Sequence, residues 1–347
     1  MQYVLGVDGG NTKTIALVAT LDGRIVGAGR GGCGDIYNAL DNRDGPDSAM
    51  VAIANIEYVV RSALQAAHVE PPELVAAVFN MAGADWPEDF AFLQAAIEAR
   101  GFGRTVIVQN DAMAVLHPAS PDDTGVSVIC GTGAATGARG PGGRTWHSSF
   151  WQGQIQGSAQ LGQKTLDAVY RSELGIEPPT TLTPRVLDFF ELKTVEELLH
   201  LFTSRVAQLP DHRGRLTPIL LDEAHAGDSV ARQIVEEHGR ALGKFAQAAA
   251  RIVGLEGTVF PLVLAGGVFR HPSPLLANTI IETVRATSPA VRPTRYPFEP
   301  IIGVLFTALE TAGVPITDAL LEQLLPTIPP STLFATTVDY GGHREQM

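Results

Sequence analysis

The sequence predicts an α/β protein built from two related halves that face each other across a cleft. Three observations support this fold class. An apolar strand opens the chain and runs straight into a glycine- and hydroxyl-rich turn at residues 8–14. The same order of strand, glycine turn and strand returns at residues 125–140. In both parts strands are mixed with amphipathic helices, which indicates mixed sheets covered by helices.

In the first half, the apolar patterns predict strands and helices in a mixed order. A glycine-rich loop covers residues 31–46, and the Pro- and Asp-containing stretch 117–123 breaks the chain. We place the domain boundary at this break, which gives domains 1–117 and 118–347. The predicted strands of the first half are 4–7, 15–20, 24–30, 74–80 and 105–110, and its predicted helices are 47–68 and 89–101.

The second half repeats the opening hairpin and adds a helix-rich insert at residues 157–253. A tail that is rich in Pro and Thr follows Pro326, and we expect it to be loosely ordered. The remaining predicted elements are a buried strand at 260–268, a helix at 274–286, an extended piece at 291–296 and a helix at 301–313.

Composition excludes several classes of function. The 25 Lys and Arg residues against 37 Asp and Glu residues give a net charge of −12 with no basic stripe, which argues against nucleic-acid or anionic-membrane partners. No apolar run reaches the ~18 residues of a membrane span. With two cysteines, Cys33 and Cys130, and a first strand that leaves no room for a signal peptide, we expect a cytoplasmic protein.

The first turn has the chemistry of a phosphate-binding loop. Its glycines allow backbone N–H groups to approach an anion, and its hydroxyl and ammonium groups can donate to phosphate oxygens. Asp8 fits beside a polyphosphate if Mg²⁺ lies between them. A tight β-turn is the alternative, but it explains only the glycines. The candidate nucleotide-binding residues are Gly9, Gly10, Asn11, Thr12, Lys13 and Thr14.

Two further glycine turns stand at strand ends. One contains Gly131, Thr132 and Gly133, and the other contains Gly266 and Gly267. Hairpin tips from opposed halves can hold a triphosphate from both sides. We expect the third turn to open a helix whose N-terminus meets the sugar or the α-phosphate of the nucleotide.

The segments DGGNTKT, AGAD, NDA, CGTG, LAGGV and PFEPIIGVLFTALETAG occur in this order. Together they resemble the BadF/BadG/BcrA/BcrD ATPase family, and within it the N-acetylglucosamine kinase-like branch of the actin/hexokinase/Hsp70 superfamily. The resemblance covers roughly residues 3–313. It implies two ribonuclease-H-like (actin-like ATPase) domains around a central nucleotide cleft, ATP with Mg²⁺, phosphoryl transfer to a sugar hydroxyl, and a homodimer.

The resemblance also implies roles for single residues. Asp8 matches the metal-associated carboxylate, residues 9–14 and 131–133 match two phosphate loops, and residues 266–267 match the adenosine loop. Asp111 matches the catalytic base. It also follows an apolar strand at a helix start, so its carboxylate could project into the cleft. The alternative for Asp111 is an ordinary helix N-cap.

The sequence departs from the family where the sugar is bound. Relatives in this branch usually carry Gly-Asp-Glu-Gly-Ser, whereas this chain has Gln-Ile-Gln-Gly-Ser at residues 154–158 and so lacks both carboxylates. An unpaired buried sugar hydroxyl costs about 1–3 kcal/mol, so the identity of the acceptor stays open. The candidate acceptor contacts are Asn38, Gly83, Asp85, Asn110, Trp151, Gln156 and Ser158.

The sequence supports three functions. The first is a kinase for a small sugar, with an amino sugar of the glucosamine or N-acetylglucosamine class as the acceptor. The second is an ATPase that activates a 2-hydroxyacyl-CoA dehydratase through a shared iron–sulfur cluster, although Cys33 and Cys130 match none of the cysteine motifs of such activators. The third is a non-catalytic protein that binds ATP or a sugar.

Overall fold

The computed structural model describes residues 1–40, 47–116, 124–153, 157–205 and 213–335. Ten strands occur in this part of the chain: β1 (Tyr3–Gly9), β2 (Thr14–Thr20), β3 (Ile25–Gly31), β4 (Leu74–Met81), β5 (Thr105–Asn110), β6 (Gly125–Cys130), β7 (Ala134–Arg139), β8 (Thr145–His147), β9 (Pro261–Ala265) and β10 (Arg292–Arg295). The α-helices are α1 (Ser48–Ala67), α2 (Pro87–Glu98), α3 (Ser149–Gln152), α4 (Ser158–Glu173), α5 (Leu182–Phe189), α6 (Val195–Thr203), α7 (Thr217–Ala226), α8 (Ser229–Val253), α9 (Leu275–Arg285), α10 (Pro300–Thr311), α11 (Asp318–Leu324) and α12 (Ser331–Phe334).

The strands form two five-stranded mixed sheets with the same arrangement. The first sheet has the order β3-β2-β1-β4-β5, and the second has β8-β7-β6-β9-β10. In each sheet the first strand lies at the centre, antiparallel to the strand that follows it and parallel to its other neighbour. The repeated hairpin pattern in the sequence therefore corresponds to two sheets of equivalent topology.

Helices cover both faces of the first sheet. Along β1, Leu5 and Val7 belong to the apolar cluster under α1 and α2, whereas Val4 belongs to the cluster under α10. This alternation follows from the two-residue period of a strand. Gly6 faces α10, because a Cβ added to it would lie 3.1 Å from the backbone nitrogen of Leu305. The even-numbered side chains of β1 therefore face α10.

The chain returns to the first sheet after β10. Helix α10 packs on β1 and β4, and Leu320, Leu324 and Phe334 from the following segment are buried in the same cluster. The expected loose order beyond Pro326 is wrong as far as residue 335. Three apolar side chains, Ile328, Leu333 and Phe334, pack in this cluster and fix the segment, and average composition does not show them. Residues 336–347 lie outside the described part.

The second sheet carries the helical insert on one face. The 25-residue helix α8 is the longest element, and it packs tightly against α9. Gly243 permits this packing, since a Cβ there would lie 2.5 Å from the Cβ of Thr283. The predicted boundary at 117–123 falls entirely on residues outside the described part, and it stays a prediction. Among the described helices, none is both long and apolar enough to cross a membrane.

Candidate active site

The carboxyl ends of three strands of the first sheet meet at one edge. Asp8 lies near the end of β1 and is paired in register with Asn80 near the end of β4. Asn110 ends β5, and Asp111 follows it. Because β1, β4 and β5 are parallel, these residues lie along the same edge. The strand ends thus gather Asp8, Asn110 and Asp111, which the sequence singled out, and Asn80, which it did not.

Asp111 is not the helix cap. The cap is Asn110, whose side-chain oxygen accepts a hydrogen bond from the backbone N–H of Ala112 at 3.0 Å. The alternative that Asp111 serves as an ordinary N-cap is therefore wrong. With the capping role taken by its neighbour, the Asp111 carboxylate is available for another task.

Several carboxyl groups converge on Asp111. The pKa of Asp111 is raised to about 7, mainly by burial and in smaller part by the negative charges of Asp8, Asp85 and Asp35. The N–H of Ala112 has a smaller, opposite effect. Burial likewise raises the pKa of Asp8 to about 6, with Lys13 acting against this shift. The edge of the first sheet is therefore an acidic site in which burial favours the neutral form of the carboxyl groups.

Asp35 enters the site from the loop after β3. It is 4% exposed, and it accepts hydrogen bonds from the backbone N–H of Tyr37 and from the amide of Asn38, both at 2.8 Å. The Asn38 amide also donates to the side-chain oxygen of Asn11 at 2.9 Å. A Cβ on Gly83 would lie 2.7 Å from Asp35 Oδ1, so this glycine lets the two loops approach. Asn38 thus links Asp35 to the first glycine turn.

Asp85 connects the two halves of the molecule. Its Oδ1 accepts hydrogen bonds from the amide of Asn110 at 3.1 Å and from the hydroxyl of Ser149. Ser149 is the first residue of α3, which follows the last segment of the β6–β8 meander in the second sheet. Burial raises the pKa of Asp85 to about 6, against the lowering effect of these two donors. Two of the predicted acceptor contacts, Asp85 and Asn110, are therefore hydrogen-bonded to each other beside Asp111.

A cavity of about 240 Å³ opens next to Asp85. Trp151, a predicted acceptor contact, lines it. Ser158 does not line it; its backbone N–H donates to the carbonyl of Gly131 at 2.7 Å. Gln156 lies outside the described residues. The lining residues are Asp85, Trp86, His147, Ser149, Phe150 and Trp151.

In the first glycine turn, two of the predicted phosphate donors make internal contacts. The Lys13 ammonium donates to the carbonyl of Phe334, and the Thr14 hydroxyl donates to the carbonyl of Gly32 at 2.8 Å. Asn11 and Thr12 are exposed. In this conformation the polar groups of the turn that can reach an anion are backbone N–H groups and the side chains of Asn11 and Thr12. Lys13 instead connects the turn to the C-terminal segment through its hydrogen bond to Phe334.

The second and third glycine turns touch each other. Gly266 has a φ of +102°, and a Cβ there would lie 2.4 Å from the carbonyl oxygen of Cys130. The expected helix does not open at this turn. Only the 3₁₀ turn Gly267–Arg270 follows, and α9 begins at Leu275, because Pro272 and Pro274 interrupt the helical hydrogen bonds.

An ion pair joins the third turn to the start of α10, close to the first turn. Arg270 pairs at 2.7 Å with Glu299, which occupies the N-cap position of α10. Glu299 and Arg270 both act on the pKa of Lys13, and burial lowers that pKa. The three predicted nucleotide-binding turns therefore lie around one region of the structure.

The residues at the end of β1 fit a divalent cation that takes most of its ligands from phosphates. Asn80 is 1% exposed, and its amide oxygen has no hydrogen-bond partner. The side chain lies on the α10 face of the sheet, beside Asp8. Within the described residues no three His, Cys, Asp or Glu side chains form a metal cluster. One carboxylate with a nearby neutral oxygen is typical of Mg²⁺ sites completed by substrate.

Sequence reasoning missed several of these residues. Asn80 sits inside an apolar run, and the partners of Asp85 come from the other half of the chain. The sequence His-Ser-Ser-Phe-Trp at 147–151, which places polar and aromatic residues directly after a strand, is the one signal that could have drawn attention. The missed residues are Asp35, Asn80, Trp86, His147, Ser149, Phe150, Arg270 and Glu299.

Comparison with known proteins agrees with this architecture. The sequence profile of the BadF/BadG/BcrA/BcrD ATPase family matches residues 5–308. An N-acetylmuramic acid/N-acetylglucosamine kinase of Clostridium acetobutylicum is 27% identical over 275 residues, covering 78% of this chain and 87% of the relative. An N-acetyl-D-glucosamine kinase of Dictyostelium discoideum is 25% identical over 294 residues, covering 81% and 91%.

Among solved structures, a putative N-acetylglucosamine kinase from Chromobacterium violaceum superposes with a TM-score of 0.61 at 20% identity, covering 89% of this chain and 99% of that one. This likeness confirms the predicted fold, two ribonuclease-H-like domains of the actin-like ATPase type around a cleft.

Proposed function

The chain belongs to the BadF/BadG/BcrA/BcrD ATPase family, and on that premise we propose that it is an ATP-dependent kinase for a small sugar. The acceptor is an amino sugar of the glucosamine or N-acetylglucosamine class. The observation that carries this proposal is the buried carboxylate of Asp111, with a pKa of about 7, at the strand edge around which the three glycine turns lie.

Asp111 is the general base in this proposal. Phosphoryl transfer needs a carboxylate that accepts the proton of the attacking hydroxyl and directs its oxygen at the γ-phosphorus. A base works best when its pKa lies near the working pH, and burial has moved Asp111 into that range. No Lys or Arg is among the groups that shift its pKa, so its charge is not already used in an ion pair.

The nucleotide is bound by the glycine turns. Backbone N–H groups of Asn11, Thr12, Thr132 and Gly133 bind phosphate oxygens, since those of Gly10 and Gly131 donate to carbonyls within their own turns. Gly266 and Gly267 bind the adenosine. Mg²⁺, when bound, neutralises charge on the phosphates, and Asp8 with Asn80 would hold it. Asp85 and Asn110 position the acceptor beside Asp111. A homodimer and a cytoplasmic location, as the sequence and the family resemblance imply, complete the proposal.

The structure disfavours the activator function. Iron–sulfur clusters are held by thiolates. Burial raises the pKa of the Cys130 thiol to about 12, and Cys130 is fully buried in the core of the second half. Cys33 is the other cysteine, and it lies in the loop after β3 of the first half.

An ATP-consumption screen tests the proposed kinase. The purified protein is incubated with ATP and Mg²⁺ and with glucosamine, N-acetylglucosamine, other hexoses or no acceptor, and the phosphorylated product is identified by mass spectrometry. We expect turnover that requires both Mg²⁺ and an amino sugar. Sugar binding without any phosphate transfer would instead establish the non-catalytic function.

A further inference from the structure

The cavity beside Asp85 has unusual walls for a site that binds a polar molecule. Trp151 is 73% exposed, Phe150 55% and Trp86 45%, and all three border the same 240 Å³ space. Large aromatic side chains normally bury much of their surface in a core or an interface. Three exposed rings around one carboxylate point to a ligand that covers them.

The rings come from both halves of the molecule. Phe150 belongs to the second half, and its ring centroid lies 6.2 Å from that of Trp86, with the ring planes 15° apart. The rings of Phe150 and Tyr37 meet edge-on, with their centroids 5.2 Å apart. The preceding residue, Ser149, has a φ of +35°, a left-handed conformation that non-glycine residues rarely adopt. Such strain persists only where the surroundings fix it, and it concentrates at functional sites.

The cavity contains negative charge and no positive charge. Asp85 accepts hydrogen bonds only from neutral groups, those of Asn110 and Ser149 and no others that the structure describes. Neither Lys nor Arg lines the cavity. His147 lines it, but burial lowers the pKa of this imidazole, so it is neutral at neutral pH. The Ser149 hydroxyl donates a hydrogen bond to Asp85, so the Nδ1–H group of His147 donates a hydrogen bond to the Ser149 oxygen.

We propose that this cavity binds the free ammonium group of the acceptor, between the carboxylate of Asp85 and the faces of the aromatic rings. The inference rests on the proposed function and narrows it to amino sugars with an unmodified amine. An ammonium gains an ion pair with Asp85 and cation–π attraction from Trp and Phe rings. A neutral acetamido group gains neither, and an acidic sugar is repelled.

The position of the cavity supports this assignment. Asp85 is hydrogen-bonded to Asn110, the residue directly before Asp111, and the charge of Asp85 is felt at Asp111. An amine held at Asp85 therefore places the remainder of a small sugar next to the proposed base. The lost acidic pair at residues 154–158 is then no handicap, because the charge that selects the acceptor comes from Asp85.

The experiment is a binding measurement in the absence of ATP, so that it does not depend on turnover. Two of the three tryptophans, Trp86 and Trp151, line the cavity, and the third, Trp146, is half-buried against the core of the second half. Intrinsic fluorescence therefore reports occupancy, with calorimetry for affinity. We expect glucosamine to bind about tenfold more tightly than N-acetylglucosamine or glucose, which is the effect of one charge-assisted contact.

The variants are Asp85→Asn, Phe150→Leu and Trp151→Leu, with Tyr58→Leu as the control. Tyr58 is an aromatic residue on α1 that is 63% exposed and does not line the cavity. We expect the three cavity variants to weaken glucosamine binding about tenfold and N-acetylglucosamine binding by less, so that each variant loses selectivity for glucosamine. Tyr58→Leu should change neither, and thermal unfolding checks that every variant is folded.

The outcomes separate this inference from the kinase proposal. N-acetylglucosamine binding as tightly as glucosamine overturns the inference, and so does an unchanged selectivity in all three cavity variants. If N-acetylglucosamine is phosphorylated in preference to glucosamine, the kinase stands and the amine site is wrong. If glucosamine binds selectively but no sugar is phosphorylated, the amine site stands and the kinase proposal is wrong.

Discussion

The two sheets share one topology and differ in the chemistry at their central strand ends. In the first sheet Asp8 near the end of β1 lies beside Asn80 of β4, and in the second sheet the equivalent strand β6 ends at the buried Cys130, with β9 ending at Ala265. The first edge carries carboxylates that raise the pKa of Asp111. The second edge carries none on its hairpin tip.

This difference shows how a duplicated scaffold can serve a reaction between unlike partners. Two equivalent hairpins suit a symmetric cleft, but a phosphoryl donor and its acceptor need opposite surroundings. In the proposed kinase, the neutral tip at residues 131–133 would hold phosphates without charge repulsion, and the acidic edge would provide a base and a metal ligand. The comparison predicts that substitutions at the first edge alter chemistry, while equivalent ones in the second sheet alter packing.

The largest expected effect comes from Asp111→Asn. Loss of the base should lower kcat about a thousandfold, since general-base catalysis contributes on the order of 10²–10⁴. The Kd for ATP, measured by calorimetry, should remain within a factor of about two because the glycine turns are unchanged. Turnover close to that of the unmodified protein would show that another group accepts the proton.

The next effect compares Asp8 with Cys130, the residue that ends the equivalent strand of the second sheet. Asp8→Asn should raise the Mg²⁺ concentration needed for half-maximal ATP binding about 10–100-fold, because the site loses its charged ligand. Cys130→Ala should leave this concentration unchanged and lower the melting temperature by creating a small cavity. Equal Mg²⁺ dependence in both variants would contradict the assignment of the metal site to the first edge.

A third prediction concerns the stability of the protein without ligands. The pKa of Asp111 is about 7 in the folded state against an ordinary value of 3.8, so the folded protein binds more protons than the unfolded chain between these values. The free energy of unfolding therefore falls as pH rises from about 4 to about 7.

Asp111→Asn removes this penalty. The variant should match the unmodified protein at pH 4 and be more stable by roughly 4 kcal/mol at pH 8, where it is also expected to be inactive. Chemical denaturation at the two pH values measures the difference. A variant that is less stable than its parent at pH 8 would mean that the carboxylate is already satisfied in the folded protein.

The smallest effect is expected from Asn80→Val. This substitution replaces a buried oxygen that lacks a partner, so stability without ligands should stay equal or rise by up to about 1 kcal/mol. The Mg²⁺ concentration for half-maximal ATP binding should rise several-fold if the oxygen serves the ion or its water shell. Ala76→Val on the same strand and face is the control for added bulk without loss of a polar atom.

The sequence predicted the elements well where a single local pattern decides them. β5 begins at Thr105 and ends at Asn110 as predicted, and α1 agrees to within a residue, because apolar periodicity and flanking breakers act locally. The return of the chain to the first sheet could not be predicted. The apolar stripe of α10 shows that the helix is buried, but it does not show which sheet covers it.

The site was predictable in the same measure. Asp8 and Asp111 stand next to predicted strand ends, so the sequence alone identifies them as candidate site residues. Asn80 gives no such signal, since an amide within an apolar run is recognised only when its neighbours are known. The contact between Ser149 and Asp85 joins residues 64 positions apart, and no local rule brings them together.

The C-terminal segment packed on the first sheet has a consequence for synthesis on the ribosome. Strands β1 to β5 are complete once residue 110 has emerged, yet one face of their sheet waits for α10 and for Phe334. At an elongation rate of about 5–20 residues per second, that delay is about 10–45 s. During this time the α10 face of the nascent first sheet, which carries Gly6 and Asp8, stays exposed. A chaperone can bind this apolar face until α10 and Phe334 cover it.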